Sequence, residues 1–334
     1  MAELVLLIIS TVIGAGFTTG AELVAFFGDT NAPPVLVAVL YGVFSFAIFA
    51  VLTICARKPT PITKGIFTAF YFIFFIVMTA GLITLNGKFT AVIALLFCIA
   101  VVMFGYGKML TINKYLMLFV LGILLIACVT NLNPSVTPTN ADHFLVARDL
   151  PVAIWRAMLY AGLNCCLLEV VIMKMLKTHT RKTVLWAGAG AIFTICVFVV
   201  LILTAIKNNA VTADMPIIEL SNNIITRFAV FFAILTTMMI CLYNITNFAF
   251  RTPQKPEPCT AKPRNTGRGQ FRTACAVSIV AFFTGLLGFK TILSAVYPFI
   301  GGFMICYVGL LCLNFFFSTR RRKCLVIDNA VNGL

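Results

Sequence analysis

The sequence predicts an all-α polytopic membrane protein with ten transmembrane helices, arranged as two five-helix halves in an inverted repeat. Three observations predict this fold: an apolar composition, ten apolar runs separated by short polar segments, and a one-sided distribution of basic residues. Of the 334 residues, 61% are hydrophobic and only 10% are charged, and the mean hydropathy is +1.05. Soluble domains do not have this composition, which is typical of chains that fold in a bilayer.

Each apolar run is long enough to cross a bilayer, which takes about 17 to 25 residues. Prolines mark two boundaries, because Pro33-Pro34 opens the second run and Pro59 and Pro61 precede the third. The segment 214–223 is too short to span and is predicted to be an amphipathic helix at the membrane surface. The predicted spans are residues 4–27, 34–56, 65–85, 89–106, 110–130, 151–175, 184–206, 225–250, 273–289 and 291–317.

The basic residues predict the orientation. With the N-terminus inside, nineteen of the 25 Lys and Arg residues lie in cytoplasmic segments and six on the outer side. Positive residues favour the cytoplasmic face, so both termini are predicted to be cytoplasmic, in the cell membrane. The net charge of +15 is thereby explained without a nucleic-acid partner. The Pro- and Arg-rich segment 251–272 is predicted to be a cytoplasmic linker near anionic lipid.

These boundaries predict four parts of the chain. Residues 1–130 form the first five-helix repeat, 131–150 an extracellular connection, 151–317 the inverted second repeat, and 318–334 a cytoplasmic tail. The first run has no preceding basic region and continues beyond any cleavage point near Ala15. We therefore interpret it as the first transmembrane helix and not as a signal peptide.

The middle of the first span predicts an interrupted helix. Its sequence is Ile13-Gly14-Ala15-Gly16-Phe17-Thr18-Thr19-Gly20, and each glycine costs a helix roughly 1 kcal/mol against alanine. Broken backbone at membrane depth is tolerated only where it lines a cavity or is buried in protein. The segment therefore indicates either a binding site at half-helix ends or close packing of small residues against a neighbouring helix.

A second interruption is predicted in span six, at Tyr160-Ala161-Gly162-Leu163-Asn164. Gly162 alone indicates helix packing. Span six is, however, the fifth span after span one, and paired breaks at corresponding positions of two halves point to a transporter site. Because five is odd, the second half must cross the membrane in the opposite direction. The pair of breaks favours a site between discontinuous helices one and six.

Two carboxylates and two hydroxyls complete the candidate residues. Glu22 in span one and Glu169 in span six are predicted to lie within the membrane, where carboxylates are costly and often functional. Each is a candidate for proton coupling, or else caps a half-helix or bonds to a neighbouring span. Thr236 and Thr237 lie halfway through span eight, where their hydroxyls can bind Na⁺ or bond back to the preceding turn.

Enzyme chemistry has little support in the sequence. The histidines, His143 and His179, fall in loops on opposite sides, and we find no nucleophile with a base and no phosphate-binding loop. The 12 cysteines lie mostly in apolar runs without metal-ligand spacing, as expected of small buried residues. The protein is therefore predicted not to be an enzyme and to need no cofactor, apart from Na⁺ as a candidate coupling ion.

The motif from Thr11 to Glu22 resembles the opening helix of the YkvI-type membrane proteins. These belong to the amino acid–polyamine–organocation (APC) superfamily, which has the LeuT fold. The segment 160–164 resembles the sixth helix of that group, and Leu235-Thr236-Thr237 resembles its eighth. The resemblance in span pattern covers nearly the whole chain and is most specific in span one. Glu169 departs from the group, where an apolar residue is expected.

The resemblance implies the roles of individual residues. A substrate would lie between the broken helices, and Na⁺ would be held by main-chain oxygens of span one and hydroxyls of span eight. Lys114, at the end of span five, does not match the mid-helix lysine of sodium-independent relatives. The implied substrate-binding residues are Gly14, Ala15, Gly16, Phe17, Thr18, Tyr160, Gly162 and Asn164. The implied Na⁺ ligands are Ser10, Ile13 and Ala233 (main chain), Thr236 and Thr237.

The expected function is secondary active transport of a small solute, an amino acid, by alternating access with Na⁺ or H⁺ coupling. The alternative is a membrane receptor of the same fold, similar to the germinant receptors of spores, that binds an amino acid without moving it. The expected partners are this solute and the lipid bilayer. The sequence does not specify the substrate, the coupling ion, the direction of transport or the oligomeric state.

Overall fold

A computed structural model describes residues 1–56, 60–132, 149–209, 213, 215–221, 223–250 and 266–331. The described chain is all-helical. Seven of its helices are long and apolar enough to cross a membrane, which indicates a multi-pass membrane protein. The helices are α1 (Ala2–Val12), α2 (Ala15–Thr18), α3 (Ala21–Phe27), α4 (Pro34–Ile54), α5 (Pro61–Met103), α6 (Tyr106–Thr130), α7 (Asp149–Met175), α8 (Arg181–Asn208), α9 (Pro216–Ser221), α10 (Ile224–Phe250), α11 (Thr266–Gly285) and α12 (Phe289–Val331).

Local sequence signals explain where several helices begin. The Thr60 side chain caps α5 by accepting a hydrogen bond from the Thr63 amide at 3.2 Å, and Pro61 follows at the first helical position, where its missing N–H is not needed. Thr180 caps α8 in the same way through the Thr183 amide at 3.3 Å. Pro34 starts α4.

The long helix α5 is two helical segments separated at Gly87. This glycine has φ 81° and ψ 172°, a backbone conformation that residues with a side chain rarely adopt. It falls between predicted spans three and four. A Cβ at residue 87 would have no neighbour within 4 Å, so backbone conformation, not packing, accounts for the glycine.

The predicted interruption of span one is present, whereas the predicted interruption of span six is wrong. Residues 149–175 form one continuous helix, α7, through Gly162. A Cβ at Gly162 would lie 2.6 Å from the Gly301 carbonyl oxygen of α12, and a Cβ at Gly301 would meet the Leu159 carbonyl of α7. Gly162 therefore serves close helix packing, which needs no break in the hydrogen-bond ladder.

Polar contacts group the helix ends into two sets. At the end of the bundle that carries Glu3, the Lys114 ammonium lies 2.8 Å from the Glu3 carboxylate. At the end that carries Asp29, Lys207 donates to the carbonyls of Thr30 and Ala32 at 3.0 and 2.7 Å, and Asn209 donates to the Asn131 carbonyl at 3.0 Å. We call these the Glu3 end and the Asp29 end.

Parts of the sequence predictions fall outside the described residues. They include Arg57 and Lys58, most of the connection 131–150 with His143, and most of the basic segment 251–272. The predicted surface helix at 214–223 corresponds to α9, of which Glu219 is exposed but Pro216 and Ile217 are buried.

Candidate functional site

The first transmembrane segment is interrupted between α1 and α2. The helix ladder continues to Ile13, whose amide donates to the Ile9 carbonyl at 2.8 Å, but the Gly14 amide donates to the Val12 carbonyl at 2.9 Å. A second interruption follows at Gly20, which has φ 76° before α3. Gly14, Gly16, Phe17 and Thr18 are all buried, and the side chain of Ala15 lies outside the described residues.

Two hydrogen bonds of a continuous helix are not made at this break. In a continuous helix the Gly14 amide would bond to the Ser10 carbonyl, and the Phe17 amide to the Ile13 carbonyl. Neither bond is among the backbone hydrogen bonds around the break. The main-chain oxygens of Ser10 and Ile13 thus do not accept the bonds that a continuous helix would give them.

The side chain of Glu22 fills the space beside Gly16. A Cβ on Gly16 would overlap the γ-carbon and one carboxyl oxygen of Glu22. The other oxygen accepts a hydrogen bond from the Tyr160 hydroxyl at 3.3 Å. The Tyr297 hydroxyl of α12 is also close to this carboxyl group, although it makes no hydrogen bond of good geometry. The carboxyl group of Glu22 therefore lies directly against the break.

Aromatic rings surround the Tyr160 side chain. Its centroid lies 5.1 Å from that of Phe26 and 5.8 Å from that of Phe27, both on α3, and 5.1 Å from that of Tyr41 on α4. Asn164, one turn further along α7, donates from its side-chain amide to the Tyr41 hydroxyl at 3.2 Å. Tyr160 therefore faces α3 and α4, and Asn164 faces α4.

Span eight, which is α10, meets the break at Gly14. A Cβ on Gly14 would lie 2.9 Å from the Thr237 hydroxyl oxygen. The hydroxyls of Thr236 and Thr237 both donate to the Ala233 carbonyl, at 2.8 and 3.2 Å. Bonding back to the preceding turn is one of the two roles that the sequence predicts for them. A hydroxyl that donates its proton still has oxygen lone pairs for a cation.

The donor set fits a small hard cation in part. The Ser10 and Ile13 carbonyls and the Thr237 hydroxyl are oxygen atoms of the kind that such a cation binds, and Thr237 lies next to Gly14, which directly follows Ile13. Ala233 fits less well, because its carbonyl already accepts two hydroxyl hydrogen bonds. The Ser10 hydroxyl is also engaged, since it accepts from the Asn113 side chain at 2.9 Å and donates to the Leu7 carbonyl at 3.0 Å.

The short helix α9 closes the break from the Asp29 end. The Ile217 amide donates to the Thr19 carbonyl at 3.0 Å, and a Cβ on Gly20 would lie 3.5 Å from the Ile217 side chain. The segment predicted to lie at the surface therefore contacts the interrupted helix.

The predicted substrate residue Thr18 bonds within the break itself, because its hydroxyl donates to the Gly14 carbonyl at 2.9 Å.

A cavity lies on each side of the break. At the Asp29 end, a cavity of about 550 Å³ is lined by Ala21, Val24 and Phe26 of α3 together with Lys207 and Lys290. At the Glu3 end, a cavity of about 230 Å³ is lined by Leu6, Leu7 and Ser10 of α1 together with Asn113 and Lys114. Phe26 lines the first cavity and packs on Tyr160, so it separates that cavity from the break.

Glu169 lies apart from this site. It is buried on α7 but lines a third cavity near the Glu3 end, with residues of α4, α5 and α12. The structure thus brings Glu22 to the predicted substrate residues and leaves Glu169 outside them.

Sequence reasoning missed three residues at the site: Tyr41, Asn113 and Tyr297. Tyr297 precedes Pro298 inside α12, where the proline removes one bond of the helix ladder. A polar aromatic residue beside an interior proline is a signal that could have identified Tyr297. Asn113 is a polar residue next to Lys114, near the start of an apolar run. Its side-chain oxygen is buried without a hydrogen bond. Tyr41 carries no comparable signal.

Comparisons with known proteins do not add an identity. No protein-family model matches the chain, and no significant match exists among curated proteins.

Proposed function

We propose that the protein is a secondary active transporter of a small solute, with amino acids as the expected substrates, working by alternating access. The observation that carries this proposal is the buried break in the first transmembrane segment, with one cavity toward each end of the bundle. The same segment lines both cavities, through α3 at the Asp29 end and α1 at the Glu3 end. A carrier of this type needs a central site that connects to each side in turn.

The contacts at helix ends support ten membrane crossings. Thr30 and Asn131 both bond to the last turn of α8, through Lys207 and Asn209, so they share the Asp29 end. An even number of crossings must therefore separate residues 30 and 131. The helices α4, α5 and α6 give an even number only if α5 crosses twice, turning at Gly87. The Glu3–Lys114 ion pair is consistent with the same count.

The substrate would occupy the neighbourhood of Gly14, Gly16, Tyr160 and Asn164. Backbone groups of the break would bind a solute carboxylate, and the aromatic rings around Tyr160 would exclude water. Because the Glu22 carboxyl group lies against Gly16, an incoming carboxylate would have to displace it or find it protonated. This competition offers a physical route for proton coupling, since intramembrane carboxylates are costly when charged.

Sodium coupling is the rival route within the same proposal. Ser10, Ile13 and Thr237, with Thr236, would hold the ion where α1 meets α10. A bound cation there would supply positive charge beside the break and would tie α1 to α10. The resemblance of the opening helix to YkvI-type proteins of the APC superfamily agrees with either route.

Binding and counterflow together test the function. The purified protein is screened by thermal shift against the twenty amino acids, with and without Na⁺, because a ligand at a hundredfold excess over Kd stabilises by about 2.7 kcal/mol. The stabilising compound is then tested for counterflow of labelled solute in proteoliposomes. Binding with counterflow supports a carrier. Binding without counterflow would instead favour the receptor, and no stabilisation by any of the twenty amino acids would contradict an amino acid as the ligand in either case.

A further inference from the structure

The cavity beside Glu169 is separate from the interrupted helix. It encloses about 470 Å³ between α4, α5, α7 and α12, which is within the usual range of small-molecule sites. We call it the Glu169 cavity. It reaches from exposed residues near the Glu3 end, Thr60 and Asn314, to Glu169, which is 7% exposed.

Glu169 brings a carboxyl group without a partner into this cavity. Among the described residues it makes no hydrogen bond and no ion pair. Lys174, the next basic residue on the same helix, donates to the Asn244 side chain at 3.2 Å and lies 4.8 Å from the centroid of the Tyr243 ring, so it is engaged with α10. A buried carboxylate that lacks a counter-charge is strongly unfavourable unless a ligand or proton supplies one.

Of the residues that the structure describes in the cavity lining, Glu169 is the single charged one; Thr60, Thr63 and Asn314 are polar, and the others are mostly apolar or aromatic. Phe303 and Tyr307 of α12 present rings to it, and both rings are held edge-on by neighbours: Phe70 lies 4.9 Å from Phe303, and Phe67 lies 5.3 Å from Tyr307, between centroids. One carboxylate beside aromatic rings that are held by their neighbours is the chemistry that binds an organic ammonium ion, by charge pairing and cation–π attraction.

We propose that the Glu169 cavity is a second binding site, which takes an ammonium group with an apolar body. The ammonium pairs with Glu169, and the apolar part packs on Phe303 and Tyr307. Two sources present this chemistry at the membrane: a free alkylamine and the ethanolamine headgroup of a lipid. The proposal does not depend on transport, because it involves none of the residues around Gly14, Gly16 and Tyr160.

A native cysteine gives a direct readout. Cys306 lines the cavity and is exposed, whereas Cys312, also exposed on α12, does not line it. Purified protein in nanodiscs of phosphatidylglycerol is treated with N-ethylmaleimide, with n-butylammonium or n-butanol added, and modification of each cysteine is followed by peptide mass spectrometry. We expect butylammonium to slow modification of Cys306 about tenfold, with Cys312 unchanged and butanol without effect.

Variants identify the groups that bind. Glu169→Gln, which keeps the shape of the side chain, should weaken protection by butylammonium about tenfold or more, as expected for loss of a charged partner. Glu219→Gln, at an exposed position of α9, is the matched control and should leave protection unchanged. Tyr307→Phe should retain protection and Tyr307→Leu should reduce it severalfold. The Tyr307 pair keeps the proposal testable if Glu169→Gln fails to fold.

Nanodiscs of phosphatidylethanolamine distinguish the two sources. If Cys306 is protected in these discs without added amine, and this protection is lost in Glu169→Gln, the site binds the lipid headgroup. If butylammonium protects Cys306 in phosphatidylglycerol discs, the site binds a free amine. Equal protection by butanol would overturn the proposal, and so would protection that survives Glu169→Gln. Absence of protection in both kinds of disc would overturn it as well.

Discussion

The carboxyl group of Glu22 lies against Gly16, in the space that the first side-chain carbon of any other residue would occupy. It also accepts the hydroxyl hydrogen bond of Tyr160 from α7 at 3.3 Å. One side chain therefore connects α2 and α3 of the interrupted segment with α7. The size of residue 16 and the position of Glu22 are coupled.

Gly16→Ala should displace Glu22 and destabilise the protein by about 1–3 kcal/mol, the usual cost of overpacking. Gly16→Leu should in addition abolish ligand binding while insertion and expression remain normal. Replacement of Glu22 by alanine removes the overlap, so Gly16→Ala should cost much less in a Glu22→Ala background. Thermal unfolding of the four proteins in this double-mutant cycle measures the coupling. Additive effects, with no coupling, would contradict the contact.

Sodium coupling predicts a specific effect of the span-eight hydroxyls. Thr236→Val and Thr237→Val keep the side-chain shape but remove an oxygen ligand, so each should reduce the sodium dependence of substrate affinity about tenfold or more. Affinity is measured in Na⁺ and in choline. Thr246→Val, which removes another buried hydroxyl of α10 that bonds to its own helix, is the control. Equal affinity of the unmutated protein in Na⁺ and choline would end the sodium hypothesis.

Proton coupling predicts that substrate affinity depends on pH through a carboxyl group. Glu22→Gln should remove this dependence, because the amide cannot titrate beside the break. Glu169→Gln should leave it in place, since Glu169 lines a different cavity. Binding is measured at two pH values in choline. A pH dependence that persists in Glu22→Gln and disappears in Glu169→Gln would reverse this assignment.

The close contact between α7 and α12 predicts a stability effect at Gly162. Gly162→Ala places a methyl group 2.6 Å from the Gly301 carbonyl and should destabilise by about 1–3 kcal/mol through overpacking. Gly122→Ala on α6 is the matched control, because a Cβ there has no neighbour within 4 Å. That substitution should be neutral or stabilise by about 0.5–1 kcal/mol. Thermal unfolding of both variants in detergent makes the comparison, and equal effects would count against the glycine contact.

The turn at Gly87 predicts which face residue 88 reaches. A cysteine at the exposed Lys88, in a background without native cysteines, should react with an impermeant maleimide applied from outside the cell. If α5 crossed only once, residue 88 would lie within the membrane and would not react. Asn140→Cys in the predicted outer connection should react from the same side. Labelling of residue 140 from the cytoplasmic face alone would contradict the ten-span topology.

The sequence predicted the helical segments well because membrane helices depend on long apolar runs and on prolines and glycines at their ends. It predicted the break at Gly14 because three glycines within seven positions are hard to explain in one helix. It failed at Gly162, since a glycine that opens a helix and a glycine that admits a neighbouring backbone are identical in sequence. The positions of Glu22, Tyr41 and Tyr297 depend on contacts between distant spans, which one sequence does not reveal.

The paired glycines of α7 and α12 also have a mechanical consequence. The backbones of α7 and α12 fit closely together at Gly162 and Gly301, so neither helix can slide past the other without a clash. The two helices are therefore expected to move as one rigid unit. In the first transmembrane segment, by contrast, the helical hydrogen bonds to the carbonyls of Ser10 and Ile13 are absent. A helix that lacks these bonds bends more easily than a continuous one, so a change in the angle of α1 relative to α7 and α12 would need less distortion at this position than in an unbroken helix.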